Sequence, residues 1–374
     1  MTARPVAMVL NSLGSGGVPE SVLNLCCHLP RESYAPRVFA LKPEATDTGQ
    51  AARFAAAGVP VTVASTGDGK IGTVAELADW LVAEDIAILH CHSYRPNLYG
   101  RMAGALCRSS GLRIVAQYHN QYDDKWPAGS PALSLERHLA HVTDAMVAVS
   151  TDVRDHVARA VGVDPSRITV VPNGLTANKV RVVDQTSARL ALGLGPQDLA
   201  IGLIGRVCAQ KGHEDLVAAA LMLRDRLPQA VFLMIGAIED RDLHQRLVAQ
   251  IAAAGAQQHI RFCGHMPDIA PAYAALDILA APSRWEGFGL MLVEAMAAGV
   301  PIVATVAGAI PDVTGGAASL VPVADPAALA GAICDLDAKT RRALAQAGRL
   351  RARAFDWGKS AAQLAAVYDG LAAS

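Results

Sequence analysis

The sequence of 374 residues lacks a charge bias, and this absence argues against a polyanion as its main partner. It contains 33 Lys and Arg residues against 34 Asp and Glu residues, a net charge of −1, and the two signs are balanced in both halves. Proteins that bind nucleic acid or anionic lipid through charge carry a basic face or a basic run. We therefore expect no nucleic-acid partner.

The chain also lacks paired cysteines and a long apolar run. Its seven cysteines form no Cys-x-x-Cys motif, which predicts thiols packed in cores in a reducing compartment. The uncharged stretch 295–311 is interrupted by Gly299, Pro301 and Gly308, so no membrane span is predicted. The apolar start Val6–Leu10 predicts a first strand and not a signal peptide. We expect a cytoplasmic protein, with peripheral contact at the inner face of a membrane left open.

Apolar material is abundant and alternates in type along the chain. Hydrophobic residues make up 52% of the sequence, and the length predicts two domains. Strand-like runs alternate with helical stretches, a pattern typical of parallel sheets covered on both faces. The predicted strands are Val6–Leu10, Arg37–Leu41, Val59–Val63, Ile86–His90, Arg113–Gln117, Ala145–Val149, Ile168–Val171, Leu199–Ile204, Val231–Ile235, His259–Cys263, Ile278–Ala281, Pro301–Thr305 and Ala318–Val321. Between the two sets, residues up to about 196 are predicted to form an irregular connection.

The strongest chemical signal is a pair of carboxylates, Glu286 and Glu294, which stand eight positions apart. Gly287 and Gly289 follow the first carboxylate and free the backbone for a close approach to a ligand. Glu294 lies in an apolar run, where an unpaired carboxylate would be costly. We therefore interpret the pair as functional and not as two solvated glutamates.

Between these carboxylates the sequence predicts the start of a helix. Apolar residues recur at helical spacing from Leu290, and Gly299 followed by Pro301 ends the pattern. The unpaired N–H groups at such a helix start form a ready site for an anion. The stretch is predicted to grip a negatively charged ligand.

A second loop carries two cations. Arg206 and Lys211 stand five positions apart between Gly205 and Gly212, directly after a predicted strand and before a helix. Two cations on such a loop can converge on one diphosphate, with a helix N-terminus behind them. An ordinary exposed turn is the alternative for this loop taken alone.

The first strand is followed by a glycine-rich loop that includes Gly14, Gly16 and Gly17. It begins like a dinucleotide fingerprint, but Pro19 occupies the place of the last glycine. We interpret the loop as a close approach of the backbone to a phosphate or a sugar. A tight strand-to-helix turn is the alternative.

Three histidines follow or end predicted strands. His119 could donate a hydrogen bond or stabilise positive charge near a reacting carbon. His90 and His92 share one face of a strand, but no third ligand accompanies them, so a zinc site is not predicted and we interpret them as lining a cleft.

Four arginines lie in one region of the first half. We interpret them as solvated surface residues rather than as a basic binding face. They are Arg95, Arg101, Arg108 and Arg113.

Taken together, these motifs resemble the retaining glycosyltransferases of family 4. The spacing of Glu286 and Glu294 is similar to the E-x7-E signature of that family, and GRVCAQKG resembles its diphosphate-binding loop. VPNG at Val171–Gly174 resembles the segment that closes the first domain of that family. The glycine loop, the HCH sequence at His90–His92 and Tyr118–Asn120 also resemble the family pattern. The resemblance covers nearly the whole chain.

This resemblance implies a fold and a domain division. The fold is α/β of the GT-B type, with two Rossmann-like doubly wound domains facing across a cleft. Residues 1–178 would form the acceptor-side domain and residues 179–355 the domain that binds the nucleotide-sugar. Residues 356–374, an amphipathic stretch, would form a helix that crosses back to the N-terminal domain.

The resemblance also implies roles for individual residues in a metal-independent transfer. Arg206 and Lys211 would neutralise the leaving diphosphate, Glu286 would hold hydroxyls of the donor sugar, and Glu294 would hold the ribose. His119 would sit near the reacting carbon. The implied catalytic residues are His119, Arg206, Lys211 and Glu286, and the implied donor-binding residues are Gly16, Gly17, Gly205, Gly236, Cys263, His265, Gly287, Phe288, Gly289, Leu290 and Glu294.

After Gly236 the chain reads Ala-Ile-Glu-Asp instead of the Gly-Asp-Gly-like turn common in the family. The contact with the nucleotide base therefore stays open.

The expected activity is therefore that of a retaining hexosyltransferase that needs no cofactor. It would move a sugar from a nucleoside-diphosphate sugar, with UDP favoured, to a hydroxyl of a glycan, a lipid-linked glycan or a small molecule. A nucleotide-sugar epimerase on the same fold, a non-catalytic sugar-nucleotide binder and an NAD-dependent oxidoreductase are the alternatives. Pro19 in the glycine loop counts against the last of these.

Overall fold

The computed structural model describes residues 3–14, 16–43, 49–65 and 71–371, and the chain divides into two compact units. The first unit comprises Met1–Gly174 together with Asp356–Ser374, and the second comprises Leu175–Phe355. The second unit therefore begins slightly before the boundary after residue 178 that the sequence suggested.

The first unit is built on a seven-stranded parallel sheet with the order β3-β2-β1-β4-β5-β6-β7. Its strands are β1 (Arg4–Leu10), β2 (Tyr34–Ala40), β3 (Val61–Val63), β4 (Ile88–His92), β5 (Arg113–Tyr118), β6 (Ala145–Ala148) and β7 (Ile168–Val170). Its helices are α1 (Gly17–His28), α2 (Gln50–Ala56), α3 (Ile71–Ala83), α4 (Tyr94–Leu106), α5 (Pro131–Leu139), α6 (Thr151–Val161) and, from the C-terminal end of the chain, α15 (Trp357–Gly370). The order reverses between β1 and β4.

The C-terminal helix α15 belongs to this first unit and packs against α1. Its apolar stripe of Ala361, Leu364, Ala365 and Tyr368 is buried, as the sequence periodicity predicts. Gly174 lies against the start of the helix, because a Cβ there would come within 2.4 Å of the Trp357 nitrogen. Helix α15 is thus part of the core of the first unit.

The second unit is built on a six-stranded parallel sheet with the order β10-β9-β8-β11-β12-β13. Its strands are β8 (Leu199–Ile204), β9 (Ala230–Ile235), β10 (Ile260–Gly264), β11 (Ile278–Ala281), β12 (Ile302–Thr305) and β13 (Ala318–Val321). Its helices are α7 (Gln185–Ala191), α8 (His213–Leu223), α9 (Arg241–Ala253), α10 (Ala270–Ala275), α11 (Leu290–Ala298), α12 (Ile310–Thr314), α13 (Pro326–Asp335) and α14 (Ala338–Ala352). Here the order reverses between β8 and β11.

Every strand predicted from the sequence is present, with ends that differ by a few residues. The prediction of an irregular connection up to residue 196 was wrong, because α7 lies within it. Asp184 caps this helix by accepting a hydrogen bond from the Ser187 nitrogen, and Ala188 is its buried residue. A helix that buries so little apolar surface leaves a weak periodic signal in the sequence.

The interpretation of the four arginines as solvated was wrong for Arg101, which is 0% exposed. Its guanidinium donates to Glu136 at 2.5 Å, and the Tyr118 hydroxyl donates to the other oxygen of the same carboxylate at 2.7 Å. Arg108 and Arg113 form ion pairs with Asp144. Within the described residues, no helix is both long enough and apolar enough to cross a bilayer.

Candidate functional site

The candidate site of the second unit lies where the strand order reverses. The loop after β8 carries Arg206 and Lys211, and the loop after β11 carries Glu286. Because β8 and β11 are adjacent and parallel, their carboxyl ends meet at one edge of the sheet. Ligands of open parallel sheets bind in the crevice at such a reversal.

The centre of this site is an ion pair between Lys211 and Glu286. The Lys211 ammonium donates to Glu286 Oε2 at 2.5 Å, and the two side chains are only 12% and 10% exposed. The Ser283 hydroxyl lies 3.4 Å from the same carboxylate oxygen, and Met291 Sδ lies 4.0 Å from the ammonium. The structure therefore brings together the predicted cation of one loop and the first predicted carboxylate of the other.

Two glycines outside the predicted set bring these loops close together. A Cβ on Gly308, which has a φ of 53°, would come within 2.3 Å of the Glu286 carbonyl oxygen. A Cβ on Gly212, with a φ of 68°, would come within 1.9 Å of the Pro282 carbonyl oxygen. The Ala309 nitrogen in turn donates to the Glu286 carbonyl at 2.9 Å. A larger residue at either position would push the loops apart.

The N-terminus of α11 adjoins this ion pair and has no side-chain cap. Gly289 is its N-cap residue, with a φ of 82°, and no acidic residue stands in the first turn. Gly287, Phe288 and Gly289 are buried, whereas Leu290 is partly exposed. Helix starts of this kind offer backbone N–H groups and the positive end of the helix dipole to an anion.

Glu294 lies one turn inside α11 and is also buried, at 6% exposure. The Tyr273 hydroxyl donates to its Oε2 at 2.7 Å, and the Lys179 ammonium lies 3.3 Å from its Oε1. The cost of burying a carboxylate is offset here by two partners. Neither partner was among the residues singled out from the sequence.

Arg206 differs from Lys211 in its surroundings. Its side chain is 43% exposed and forms an ion pair with Glu239, which follows β9. The two cations of the loop therefore contact different carboxylates, one buried and one at the surface.

The predicted base-side residues lie at or just after the ends of β9 and β10, at the same edge of the sheet. Gly236 donates from its nitrogen to the Gly264 carbonyl at 2.8 Å, and a Cβ on Gly236 would come within 1.9 Å of the Gly205 carbonyl oxygen. Cys263 is partly buried in β10, which raises the pKa of its thiol, and His265 is exposed. These residues form the rim of the sheet beside the Lys211 loop.

In the first unit, where the strand order reverses between β1 and β4, the predicted glycines follow β1 and the predicted histidine follows β5. Gly16 and Gly17 are exposed at the start of α1, which has no side-chain cap. Ser15 of the same loop lies outside the described residues. His119 follows β5 and is partly exposed.

The interpretation of His90 and His92 as cleft-lining was wrong, because both are 0% exposed. His92 Nδ1 lies 3.1 Å from His119 Nε2, and His90 Nδ1 lies 2.6 Å from the hydroxyl of Tyr368 in α15. Burial lowers the pKa of His90 to about 3, and loss of solvent around the His119 imidazole lowers its pKa to about 3 although part of that residue is exposed. His119 is therefore a neutral hydrogen-bonding group near neutral pH and not a cation.

These buried histidines predict a loss of stability on mild acidification. His90, with a pKa of about 3, and His92, whose pKa burial also lowers, bind no proton in the folded state near pH 6. In the unfolded chain they become protonated as the pH falls through about 6.5. The free energy of unfolding therefore falls by about 1.4 kcal/mol per pH unit for each histidine below that value, and is fully restored above it.

The measurement is the urea midpoint of unfolding between pH 7 and pH 5, above the range in which most carboxylates titrate. The variant His90→Gln is expected to show a shallower slope than the wild-type protein. A midpoint that does not change over this range in the wild-type protein would contradict the neutral buried state.

Among the described residues there is no cluster of three or more His, Cys, Asp or Glu that could hold a metal ion. Sequence reasoning missed Ser283, Gly308, Tyr273 and Lys179. Ser283 and Gly308 follow β11 and β12 at the same sheet edge, a position that could have marked them. Tyr273 and Lys179 lie far from the motifs in sequence and carry no such signal.

Comparison with known families matches both halves of the chain. Residues 15–179 match the family model described as Glycosyltransferase Family 4, and residues 198–338 match that of Glycosyl transferases group 1. The chain is 37% identical over 213 residues to a lipopolysaccharide core biosynthesis mannosyltransferase of Rhizobium meliloti, covering 54% of this chain and 61% of that protein. It is 31% identical over 245 residues to a D-inositol 3-phosphate glycosyltransferase of Segniliparus rotundus, covering 62% of this chain and 54% of that protein. The matched stretch thus spans a little over half the length of these curated relatives.

Solved structures agree in fold over nearly the whole chain. HepE of Anabaena, solved in complex with UDP-glucose, superposes with a TM-score of 0.86 at 21% identity, covering 99% of this chain and 100% of that chain. Sucrose-phosphate synthase of Thermosynechococcus elongatus superposes with a TM-score of 0.82 at 22% identity, covering 99% and 100% of the two chains. The two doubly wound units are those of the GT-B fold. Two domains of the chain thus match glycosyltransferase models, a family 4 domain over residues 15–179 followed by a group 1 domain over residues 198–338.

Proposed function

We propose that the protein transfers a glycosyl group from a nucleoside-diphosphate sugar to a hydroxyl acceptor, with retention of anomeric configuration and without a metal ion. A UDP-sugar is the favoured donor. The acceptor is a hydroxyl of a glycan, a lipid-linked glycan or a small molecule. His119, Arg206, Lys211 and Glu286 are the proposed catalytic residues.

The observation that carries this proposal is the buried contact of Lys211 with Glu286 at the strand reversal of the second unit, 2.5 Å apart. It places a cation, a carboxylate and the uncapped start of α11 within one small region. A nucleotide-sugar offers matching groups, because its diphosphate is an anion and its sugar carries hydroxyl donors. No other cluster among the residues described in the second unit combines these three features at a strand reversal.

The chemistry follows from the charge that develops during transfer. As the bond between the sugar and the diphosphate breaks, negative charge builds on the departing oxygens. An ammonium has three N–H donors, so Lys211 can keep its bond to Glu286 and still donate to phosphate oxygens. Fixed donors aimed at developing charge lower the barrier without reorganisation.

Glu286 has the complementary task of accepting hydrogen bonds from hydroxyls of the donor sugar. Its Oε2 accepts a hydrogen bond from Lys211 and lies 3.4 Å from the Ser283 hydroxyl, and these contacts orient the carboxylate. As the counter-ion of Glu286, Lys211 also reduces the repulsion between this carboxylate and an incoming phosphate. Arg206 lies on the same loop as Lys211 but is more exposed. On donor binding its guanidinium would leave Glu239 and bind the diphosphate.

The names of the relatives support the donor and acceptor classes in this proposal. HepE was solved with UDP-glucose, which favours UDP over other nucleotides. The two curated relatives are named for a lipopolysaccharide core and for inositol 3-phosphate. We therefore keep both glycan hydroxyls and small-molecule hydroxyls in the proposal as acceptor classes.

A thermal-shift panel of UDP, GDP, ADP and dTDP tests the donor site. A nucleotide at 100 times its dissociation constant is expected to stabilise the protein by about 2.7 kcal/mol, which corresponds to a rise in Tm of roughly 5–10 °C. We expect the largest rise with UDP, and we expect the same rise in magnesium and in EDTA. The proposed donor site would be wrong if none of the four nucleotides changed the Tm.

A second incubation separates transfer from epimerisation. The protein is incubated with a UDP-sugar in the absence of an acceptor, and the sugar nucleotide is then analysed by NMR. An unchanged donor is expected of a transferase, whereas accumulation of an epimer would identify a nucleotide-sugar epimerase.

A further inference from the structure

Glu294 is held from two sides by residues that no sequence motif indicates. Tyr273, on α10, donates to Oε2 at 2.7 Å, and Lys179, on the short 3-10 helix Ala177–Val180, lies 3.3 Å from Oε1. We propose that Lys179 and Tyr273 are positioning residues that orient the Glu294 carboxylate toward the two ribose hydroxyls of a nucleotide. This inference rests on the proposed function, because it concerns the same donor.

The position of Glu294 on α11 fits this role. It follows Leu290 by four residues, so the two lie on the same face of the helix. The rise of an α-helix puts Glu294 roughly 6 Å along the axis from the uncapped amides of the first turn. A nucleotide whose diphosphate binds those amides therefore has its ribose within reach of this carboxylate.

The number of acceptor sites on the carboxylate also matches. An ionised carboxylate has about four lone-pair sites, two on each oxygen. Tyr273 uses one site on Oε2 and Lys179 uses one on Oε1. One site remains on each oxygen, and a ribose presents two hydroxyl donors, at its 2′ and 3′ carbons.

Each partner contributes a different property. Burial raises the pKa of the Tyr273 phenol well above its usual value, so the hydroxyl keeps its proton and donates throughout the working range. Lys179 supplies an opposite charge 3.3 Å from Oε1 of a carboxylate that is only 6% exposed. The side chain of Lys179 is itself 29% exposed, which makes it the partner that can be replaced with least damage to the core.

The contact of Lys179 with Glu294 also brings the start of the second unit into the proposed donor site. The 3-10 helix that carries Lys179 packs against both α10 and α11. The 3-10 helix Ala177–Val180, which stands near the start of the second unit, thus supplies a residue to the site. Loss of Lys179 or Tyr273 would leave the carboxylate present but able to rotate away from a single orientation.

The test compares the binding of a ribonucleoside diphosphate with that of its 2′-deoxy form, measured by calorimetry on the full chain. The pair used is UDP with 2′-deoxy-UDP, and the corresponding GDP and ADP pairs are measured as well. A hydrogen bond to a charged group predicts that the wild-type protein prefers the ribose form by roughly 10- to 100-fold. Lys179→Met and Tyr273→Phe are each expected to lower that ratio about 5-fold or more, and Glu294→Gln, which keeps only a neutral amide oxygen as acceptor, is expected to lower it at least as far.

The ratio isolates positioning from folding, because a variant that is merely less stable weakens both nucleotides alike. Lys339→Met, at an exposed lysine of α14 in the same unit, is the matched control and should keep the wild-type ratio. If the wild-type protein prefers ribose and both Lys179→Met and Tyr273→Phe retain its ratio, this inference is overturned while the proposed function stands. If the wild-type protein binds none of the nucleotides, the proposed function fails and the inference fails with it.

Discussion

Replacing Lys211 by alanine is expected to lower turnover by roughly 10²–10³-fold, the effect typical of removing one fixed donor that stabilises developing negative charge. Lys211 is the buried cation of the site, in contact with Glu286 at 2.5 Å. Without it, the leaving diphosphate keeps only the helix-end amides and the more exposed Arg206. The measurement is kcat with a UDP-sugar donor at saturation, compared with that of the wild-type protein.

The same substitution also leaves Glu286 as a buried, unpaired carboxylate, and this predicts a separate loss of stability. The double variant Lys211→Ala with Glu286→Gln removes that charge, so it is expected to recover part of the stability and none of the activity. Lys339→Met removes an exposed lysine from the same unit and should leave kcat unchanged. Wild-type turnover in folded Lys211→Ala protein would remove Lys211 from the mechanism.

Replacing Arg101 by methionine is expected to lower the free energy of unfolding of the first unit by about 3–5 kcal/mol, because one partner of a buried ion pair is lost. Arg101 and Glu136 have side-chain exposures of 0% and 2%. Methionine fills much of the volume of the arginine side chain. The Glu136 carboxylate keeps its hydrogen bond from the Tyr118 hydroxyl but loses the ion pair with Arg101. Because Tyr118 immediately precedes His119, the change should also loosen the end of β5.

Urea unfolding followed by tryptophan fluorescence measures this loss, since Trp126 lies in the first unit, with its ring 6.2 Å from that of Tyr118. The control is Glu84→Gln, which breaks the partly exposed pair of Arg37 with Glu84, whose side chains are 36% and 35% exposed. That change should cost less than about 1 kcal/mol. Equal losses in the two variants would mean that burial does not set the strength of these pairs.

The sequence predicts the architecture well because the architecture depends on local patterns. Strands that are buried on both faces read as continuous apolar runs, and β8, β11 and β13 begin and end at the predicted residues. The start of α11 at Leu290 and its stop at Gly299 follow from glycine positions and apolar spacing alone. The short helix α7 was not predicted because Ala188 is its buried residue, so its periodic apolar signal is weak.

The sequence predicts the residues of the candidate site only where they lie in loops that follow strands. The contact of Lys211 with Glu286 joins residues 75 positions apart, and motif spacing within each loop does not give that distance. The burial of Arg101 depends on a carboxylate from a different helix, so its side chain cannot be distinguished in sequence from that of an exposed arginine. Tyr273 and Lys179 reach Glu294 from two separate elements, which only the folded chain brings together.

A crystal structure of the protein with bound UDP would show whether Lys211 and the start of α11 bind the diphosphate. We expect diphosphate oxygens at hydrogen-bonding distance, about 2.7–3.2 Å, from Lys211 Nζ and from the backbone nitrogens at the start of α11. Glu294 should then accept from the ribose hydroxyls. A diphosphate bound elsewhere, with Lys211 still contacting only Glu286, would contradict the account.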